Sequence, residues 1–209
     1  MQRRNLIAGV ASLVLLGACG KVAKLPAIVP GQVVLAFGDS VTFGTGASPG
    51  EDWPSLLAAQ THWEVINAGI PGDTAQAGRS RIQSLLDEHQ PALVIVEIGG
   101  NDFLRKRPAN DVKEDIRTVL KSIKQSGAQA ALVAVPELSL MSIVAGKPSD
   151  SPIYKELSRE EGVPVVSDVF SEVLSQPELR ADRIHPNAKG YRQMANGLFA
   201  RFSEIGFVR

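Results

Sequence analysis

A chain of 209 residues, 44% hydrophobic and 21% charged, is long and apolar enough for one globular domain with a real core, and nothing in it suggests disorder. Its formal charge is zero, so it lacks the basic footprint that nucleic acid requires and any polybasic tract for anionic lipid. DNA and RNA are excluded as expected partners, and no repeat, low-complexity stretch or second domain boundary interrupts the chain.

At the N-terminus, Arg3 and Arg4 precede an apolar stretch over residues 6–16 that is too short to span a bilayer comfortably, so residues 1–18 read as a signal peptide. Cys19, the only cysteine, follows directly in Leu16-Gly17-Ala18-Cys19. That tetrapeptide resembles the lipobox at which bacterial lipoproteins are lipidated on the thiol and then cleaved, which makes Cys19 the lipidated first residue of the mature chain. An ordinary cleavable signal is the alternative, since Ala18 suits it too. Cleavage takes Arg3 and Arg4 and no acid, leaving 20 basic against 22 acidic residues and a formal charge of −2. Gly20 is not the aspartate of inner-membrane retention, so the expected location is the cell envelope, facing the periplasm, with the outer membrane preferred. Residues 19–31, with Pro26, Pro30 and Gly31, read as a poorly ordered tether ahead of a domain spanning 32–209.

From residue 32 onward, apolar strand-like runs at 33–37, 64–67, 92–98, 129–135 and 164–167 alternate with helical spacings. The helical stretches carry Ile82, Leu85 and Leu86, then Val112, Ile116, Val119, Leu120 and Ile123, and last Met194, Leu198 and Phe202. Five mainly parallel strands with crossover helices make a three-layer α/β/α sandwich. The first run ends in Gly38-Asp39-Ser40, which delivers Ser40 to the carboxyl edge of the sheet, where open α/β sheets do chemistry. Ser40 reads as a nucleophile in need of a base, an orienting acid and an oxyanion site.

After the second run, the segment from Asn67 through Gly72 to Thr74 combines turn residues with an Asp-Thr pair suited to opening a helix, and Gly72 has a backbone N–H to offer. The third run leads into Gly99-Gly100-Asn101-Asp102. Asn101 reads there either as a donor to an oxyanion or as a turn asparagine. Near the C-terminus, Asp182 stands three residues before His185, close enough for a hydrogen bond if one helical turn joins them. A solvated surface pair is the competing reading. Pro186 suits the first position of the final helix, and structural roles suffice for His62 and His89.

Taken in order, Gly-Asp-Ser at 38–40, glycine at 72, Gly-x-Asn-Asp at 99–102 and Asp-x-x-His at 182–185 resemble the SGNH (GDSL) hydrolases over nearly all of residues 33–204. The segments around Gly72 and Asn101 look most like the bacterial lysophospholipase, thioesterase and arylesterase branch. This resemblance implies a flavodoxin-like fold and a serine esterase with an acyl-enzyme intermediate. Ser40 would be the nucleophile, His185 the base and Asp182 its orienting acid, with the Ser40 and Gly72 N–H groups and the Asn101 side chain as oxyanion hole. It also implies no cofactor. Val41 departs conservatively from the leucine of the family's short name, and Asp39 and Asp102 read as structural carboxylates.

Competing chemistries fit less well. A nucleophile elbow needs glycine where Thr42 stands, and no Gly-Lys-Ser/Thr follows Gly38, Gly44 and Gly46 to complete a P-loop. A dinuclear metal site through Asp39, Asp102 and His185 is short of nitrogen donors in a chain with three histidines, so no metal is expected. Three readings follow: hydrolysis of lipid or small aryl and acyl esters, deacetylation of envelope carbohydrate or peptidoglycan, and a non-catalytic glycan- or lipid-binding lipoprotein. Residues 138–144, with Phe43 and Phe103, are expected either to line an acyl groove or to pack as core under a long loop.

Overall fold

The structure is a computed structural model, and it describes residues 25–137 and 148–209. Five strands form one parallel sheet: β1 (Val33–Gly38), β2 (Glu64–Gly69), β3 (Leu93–Glu97), β4 (Gln129–Val133) and β5 (Val165–Val166), in the order β2-β1-β3-β4-β5. All five expected strands are present. Continuous burial holds for β3, whereas β2 is an edge strand with no fully buried residue, which explains its mixed sequence Glu-Val-Ile-Asn-Ala-Gly.

Helices cover both faces: α1 (Ser40–Phe43), α2 (Trp53–Thr61), α3 (Ala75–His89), α4 (Gly100–Leu104), α5 (Ala109–Gln125), α6 (Pro152–Glu161), α7 (Val169–Ser175) and α8 (Ala188–Ile205). The stripe Val112, Ile116, Val119, Leu120 and Ile123 of α5 is wholly buried, each such side chain contributing about 1.5–3 kcal/mol. Likewise α8 buries Met194, Leu198 and Phe202, and Phe202 packs edge-on to Phe207 with centroids 5.8 Å apart. This last helix starts two residues later than Pro186 implies. Asn187 is its N-cap, with its side chain accepting from the Lys189 and Gly190 N–H groups, which leaves Pro186 in a bridge to Arg180.

The segment read as a tether docks onto the body over its second half. Ile28 is 3% exposed; its N–H donates to the Phe207 carbonyl at 2.9 Å and its carbonyl accepts from the Trp63 indole at 3.1 Å. Gly31 donates to the His62 carbonyl, and the Gln129 amide donates to the carbonyl of Pro26. Burying Ile28 among Trp63 and Phe207 offsets the ordering cost of about 1–2 kcal/mol per residue, which composition alone did not reveal. The folded body therefore begins before residue 32. Cys19 and residues 138–144 lie outside the described residues.

Strand order reverses where β1 lies between β2 and β3. The loops leaving β1 and β3 diverge there and leave a crevice at the carboxyl edge. Ser40 stands two residues past the end of β1 and Asn101 four past the end of β3.

Candidate active site

Nucleophile placement begins with backbone. Asp39 is the N-cap of α1, its Oδ1 accepting from the Val41 N–H at 3.0 Å, and Gly44 closes the turn in the left-handed region at φ 100°. Ser40 thus occupies the first helical position, where backbone N–H groups have no helical acceptor. Gly38 is obligatory: a Cβ there would collide with the Thr42 hydroxyl and the Glu97 carbonyl. Across that gap Thr42 Oγ1 donates to Glu97 Oε2 at 2.8 Å, pinning the turn to β3.

Residues 180–186 form a small hairpin in which the Ala181 N–H donates to the His185 carbonyl at 2.9 Å and the Asn187 N–H to Leu179 at 2.8 Å. Asp182 and His185 meet through this hairpin and not through a helical turn. Asp182 Oδ1 accepts from the Ile184 and His185 N–H groups, each at 2.8 Å, and Oδ2 lies 2.7 Å from His185 Nδ1. Nε2 of His185 lies 2.9 Å from Ser40 Oγ. Partial burial opposes ionisation of Asp182, but the bonds from His185 and the two backbone donors outweigh it and hold the carboxyl below its usual range. With Asp182 ionised, the proton of a neutral imidazole sits on Nδ1, leaving Nε2 to accept from Ser40.

Asn101 lines the same cavity as Ser40 and His185. Its Nδ2 donates to the Asp73 carbonyl at 2.9 Å and to Asp39 Oδ2 at 3.2 Å, so an oxyanion bound by this amide would have to take over one of these, the longer being the easier to exchange. Gly72 does not line the cavity. It is exposed at φ 81° on the adjoining loop, where its N–H meets no protein acceptor among the described residues, and its carbonyl accepts from Arg105 at 3.1 Å. Apolar walls come from Leu104, Val135, Phe170 and Ile184, and not from Phe43, which projects at the surface, or Phe103. The cavity is narrow, about 10 Å³, with room for about one water.

The two extra aspartates anchor neighbouring elements. Asp102, fully buried, accepts from the Ala75 N–H at 2.8 Å and from Arg107 at 2.5 Å, and Arg107 continues to Asp115 at 2.8 Å. This chain ties the start of α3 to α4 and α5. Sequence reasoning missed Arg81, which lies on α3 with no local motif around it. Its Nε donates to Asp73 Oδ2 at 2.8 Å, Nη1 to the Ala68 carbonyl at 3.0 Å and Nη2 to the Gly38 carbonyl at 2.9 Å, with the guanidinium 4.1 Å over the Phe37 ring.

Asp39 is pushed up to about 6, first by burial and then by Asp73, against the opposing Val41 N–H, His185 and Asn101. Its folded value lies above the ordinary 3.8, so the fold holds a proton that the unfolded chain has released, and stability falls as pH rises from about 4 through about 6. The loss amounts to about 3 kcal/mol. Urea unfolding at pH 4, 5, 6 and 7 should show wild type losing this much relative to Asp39→Asn, and parallel curves would refute it.

A serine, an imidazole and a carboxylate in hydrogen-bonded series, at the carboxyl edge of a parallel sheet, define an α/β serine hydrolase. Residues 36–193 match the GDSL-like lipase/acylhydrolase family, and the chain belongs to that family. It is 35% identical over 161 residues to the thioesterase 1/protease 1/lysophospholipase L1 of Escherichia coli strain K12, covering 75% of this chain and 76% of the relative. An arylesterase of Vibrio mimicus is 32% identical over 163 residues, covering 74% and 80% respectively. Among solved structures, that of TesA superposes with a TM-score of 0.73 at 25% identity, covering 83% of this chain and 99% of the other. The protein is a carboxylic ester hydrolase of the serine esterase type.

Proposed function

We propose that this chain hydrolyses small acyl and aryl esters in the bacterial cell envelope, with Ser40 as nucleophile, and that it is held there by lipid on Cys19. The observation that carries the reading is the Asp182–His185–Ser40 series opening onto a narrow apolar cavity. Ser40 Oγ attacks the ester carbonyl carbon as His185 Nε2 takes its proton, and the oxyanion is met by the Ser40 and Gly72 N–H groups and Asn101 Nδ2. Collapse breaks the bond to the alcohol, which leaves with the proton from His185. Water, deprotonated in turn by His185, then releases the acid and restores Ser40.

One observation favours water-borne or polymer-borne esters, including acetyl groups of envelope carbohydrate or peptidoglycan, over the phospholipids of the anchoring leaflet. Residues 26–31 dock at the amino ends of the strands, against Gln129 and His62, whereas Ser40 stands at the carboxyl ends. Six residues of β1 separate the two poles by about 20 Å, so Pro26, near the start of the described residues, lies at the pole opposite the site.

The test uses the full chain expressed in a bacterial host. An organophosphonate probe should label wild type and not Ser40→Ala, and wild type but not Cys19→Ser should fractionate with the outer membrane. Folded wild type that neither labels nor hydrolyses p-nitrophenyl esters would favour the non-catalytic binding lipoprotein instead. Membrane association that survives Cys19→Ser would remove the anchor from the proposal.

A further inference from the structure

Phe43 takes no part in the chemistry above, yet it stands three residues after Ser40 in α1. Positions three apart share one face of a helical turn, with Cβ atoms about 5–6 Å from each other. The burial of α1 follows that geometry: Val41 and Thr42 are buried in the body, whereas Ser40 is partly exposed and Phe43 is 55% exposed. The nucleophile and a bare aromatic side chain therefore stand on the outward face of the same turn.

A second apolar side chain joins them from β2. Gly69 ends that strand against α1, where a Cβ would collide with the backbone of Thr42 and Phe43. The Asn67 amide donates to the Thr42 carbonyl at 2.9 Å and the Ile70 N–H to the Gly38 carbonyl at 3.1 Å, which fastens the two segments together. Ile70, the next residue, thus emerges beside Phe43, and it is 47% exposed. Apolar side chains exposed singly are ordinary, but these are grouped. Of the five large ones exposed among the described residues, Leu25 and Val29 lie near the start, and Phe43, Ile70 and Leu104 all stand at the carboxyl edge of the sheet.

Strand order divides the surroundings of Ser40 into two sides. Phe43 and Ile70 lie toward β2, whereas the cavity walls Leu104, Val135 and Phe170 follow β3, β4 and β5 on the other side. That cavity has room for about one water, so the bulkier half of an ester finds open surface toward β2. The alcohol is the half that departs first and needs an open way out, while the acyl group stays on Ser40 until water arrives.

We propose that Phe43 and Ile70 form an open apolar shelf for the alcohol half of the ester, and that the Phe43 ring makes the enzyme favour aromatic alcohols over small alkyl ones. The inference rests on the reading of Ser40 as nucleophile given under Proposed function. Packing a ring against Phe43 adds an aromatic contact to the apolar area removed from water. The hydrogen bonds that fix the backbone of the shelf keep the ordering cost of binding low.

Phenols leave more readily than alkyl alcohols, so the test uses benzyl and ethyl esters, whose alcohols leave about equally well. It compares kcat/KM for benzyl acetate, ethyl acetate and ethyl hexanoate in wild type, Phe43→Ala, Phe43→Tyr, Ile70→Ala and Ser40→Ala. Wild type should favour benzyl over ethyl acetate, and Phe43→Ala should cut that ratio about tenfold, Ile70→Ala about threefold. Phe43→Tyr, which keeps the ring, should hold the ratio within about twofold. Were Phe43 only a support for the Ser40 turn, the two acetates would fall together in Phe43→Ala, and an unmoved ratio overturns the inference. A fall confined to the ratio of ethyl hexanoate to ethyl acetate also overturns it, by giving the shelf to the acyl half. Both results leave the nucleophile reading intact. Activity that survives Ser40→Ala, or is absent from folded wild type, overturns that reading and the shelf with it.

Discussion

His185→Ala is expected to lower kcat/KM toward p-nitrophenyl esters about 10⁵-fold while leaving the fold intact. Among the described residues the side chain is the one base within reach of Ser40 Oγ, at 2.9 Å, and in the proposed mechanism it both takes the serine proton and returns it to the leaving alcohol. Without it, catalysis falls to what oxyanion stabilisation and binding supply, about 10³–10⁴ over water. Asp182→Asn should cost less, about 10³-fold, and chiefly in kcat. An asparagine can still accept from the Ile184 and His185 N–H groups through its oxygen, but it then presents an amide to Nδ1 and turns the imidazole to the wrong tautomer. The loss is smaller than for a sealed triad because the Asp182 side chain is 55% exposed, so water can accept from Nδ1 in its place. Initial rates on protein shown by circular dichroism to be folded decide the matter. A His185→Ala variant retaining a tenth of wild-type activity would remove His185 from the mechanism.

Arg81→Ala should lower kcat about 10²-fold with a far smaller change in KM, although Arg81 touches no part of the cavity. Through Gly38 it holds the turn that bears Ser40, and through Asp73 it holds the loop of Gly72, whose next carbonyl orients Asn101. All three proposed oxyanion donors are thus registered by one planar guanidinium, 19% exposed, and a displacement of about 1 Å is enough to cost two orders of magnitude. Stability should also fall by about 3 kcal/mol, since Asp73 is left buried and uncompensated. Arg81→Lys restores the charge but reaches only one of the three acceptors, so it should recover stability more than turnover. Loss of stability alone, with kcat unchanged at a temperature where the variant is fully folded, would assign Arg81 a purely structural role.

Two acidic residues illustrate what local pattern conveys and what it does not. Glu97 ends the apolar run Leu93-Val94-Ile95-Val96, and an acid inside such a run is a visible irregularity, yet its partner Thr42 lies 55 positions away in the chain. Asp39 reads correctly as a turn-organising carboxylate, because N-capping depends on the next few residues. Its bond to Asn101, and with it the coupling of the nucleophile turn to the proposed oxyanion donor, depends on how β1 and β3 lie side by side.

By itself the sequence determined the alternation of strands and helices and the delivery of Ser40 and Asn101 to the carboxyl edge, since each follows from hydrophobic period or from spacing along the chain. Tertiary structure alone decided that His185 meets Ser40 across 145 residues, that Ile28 docks instead of trailing, and that Arg81 joins the ends of β1 and β2 to the Gly72 loop. These contacts join layers distant in sequence. They are selected by the packing of helices onto a twisted sheet and the need to pair buried polar groups, and neither constraint leaves a local period to read.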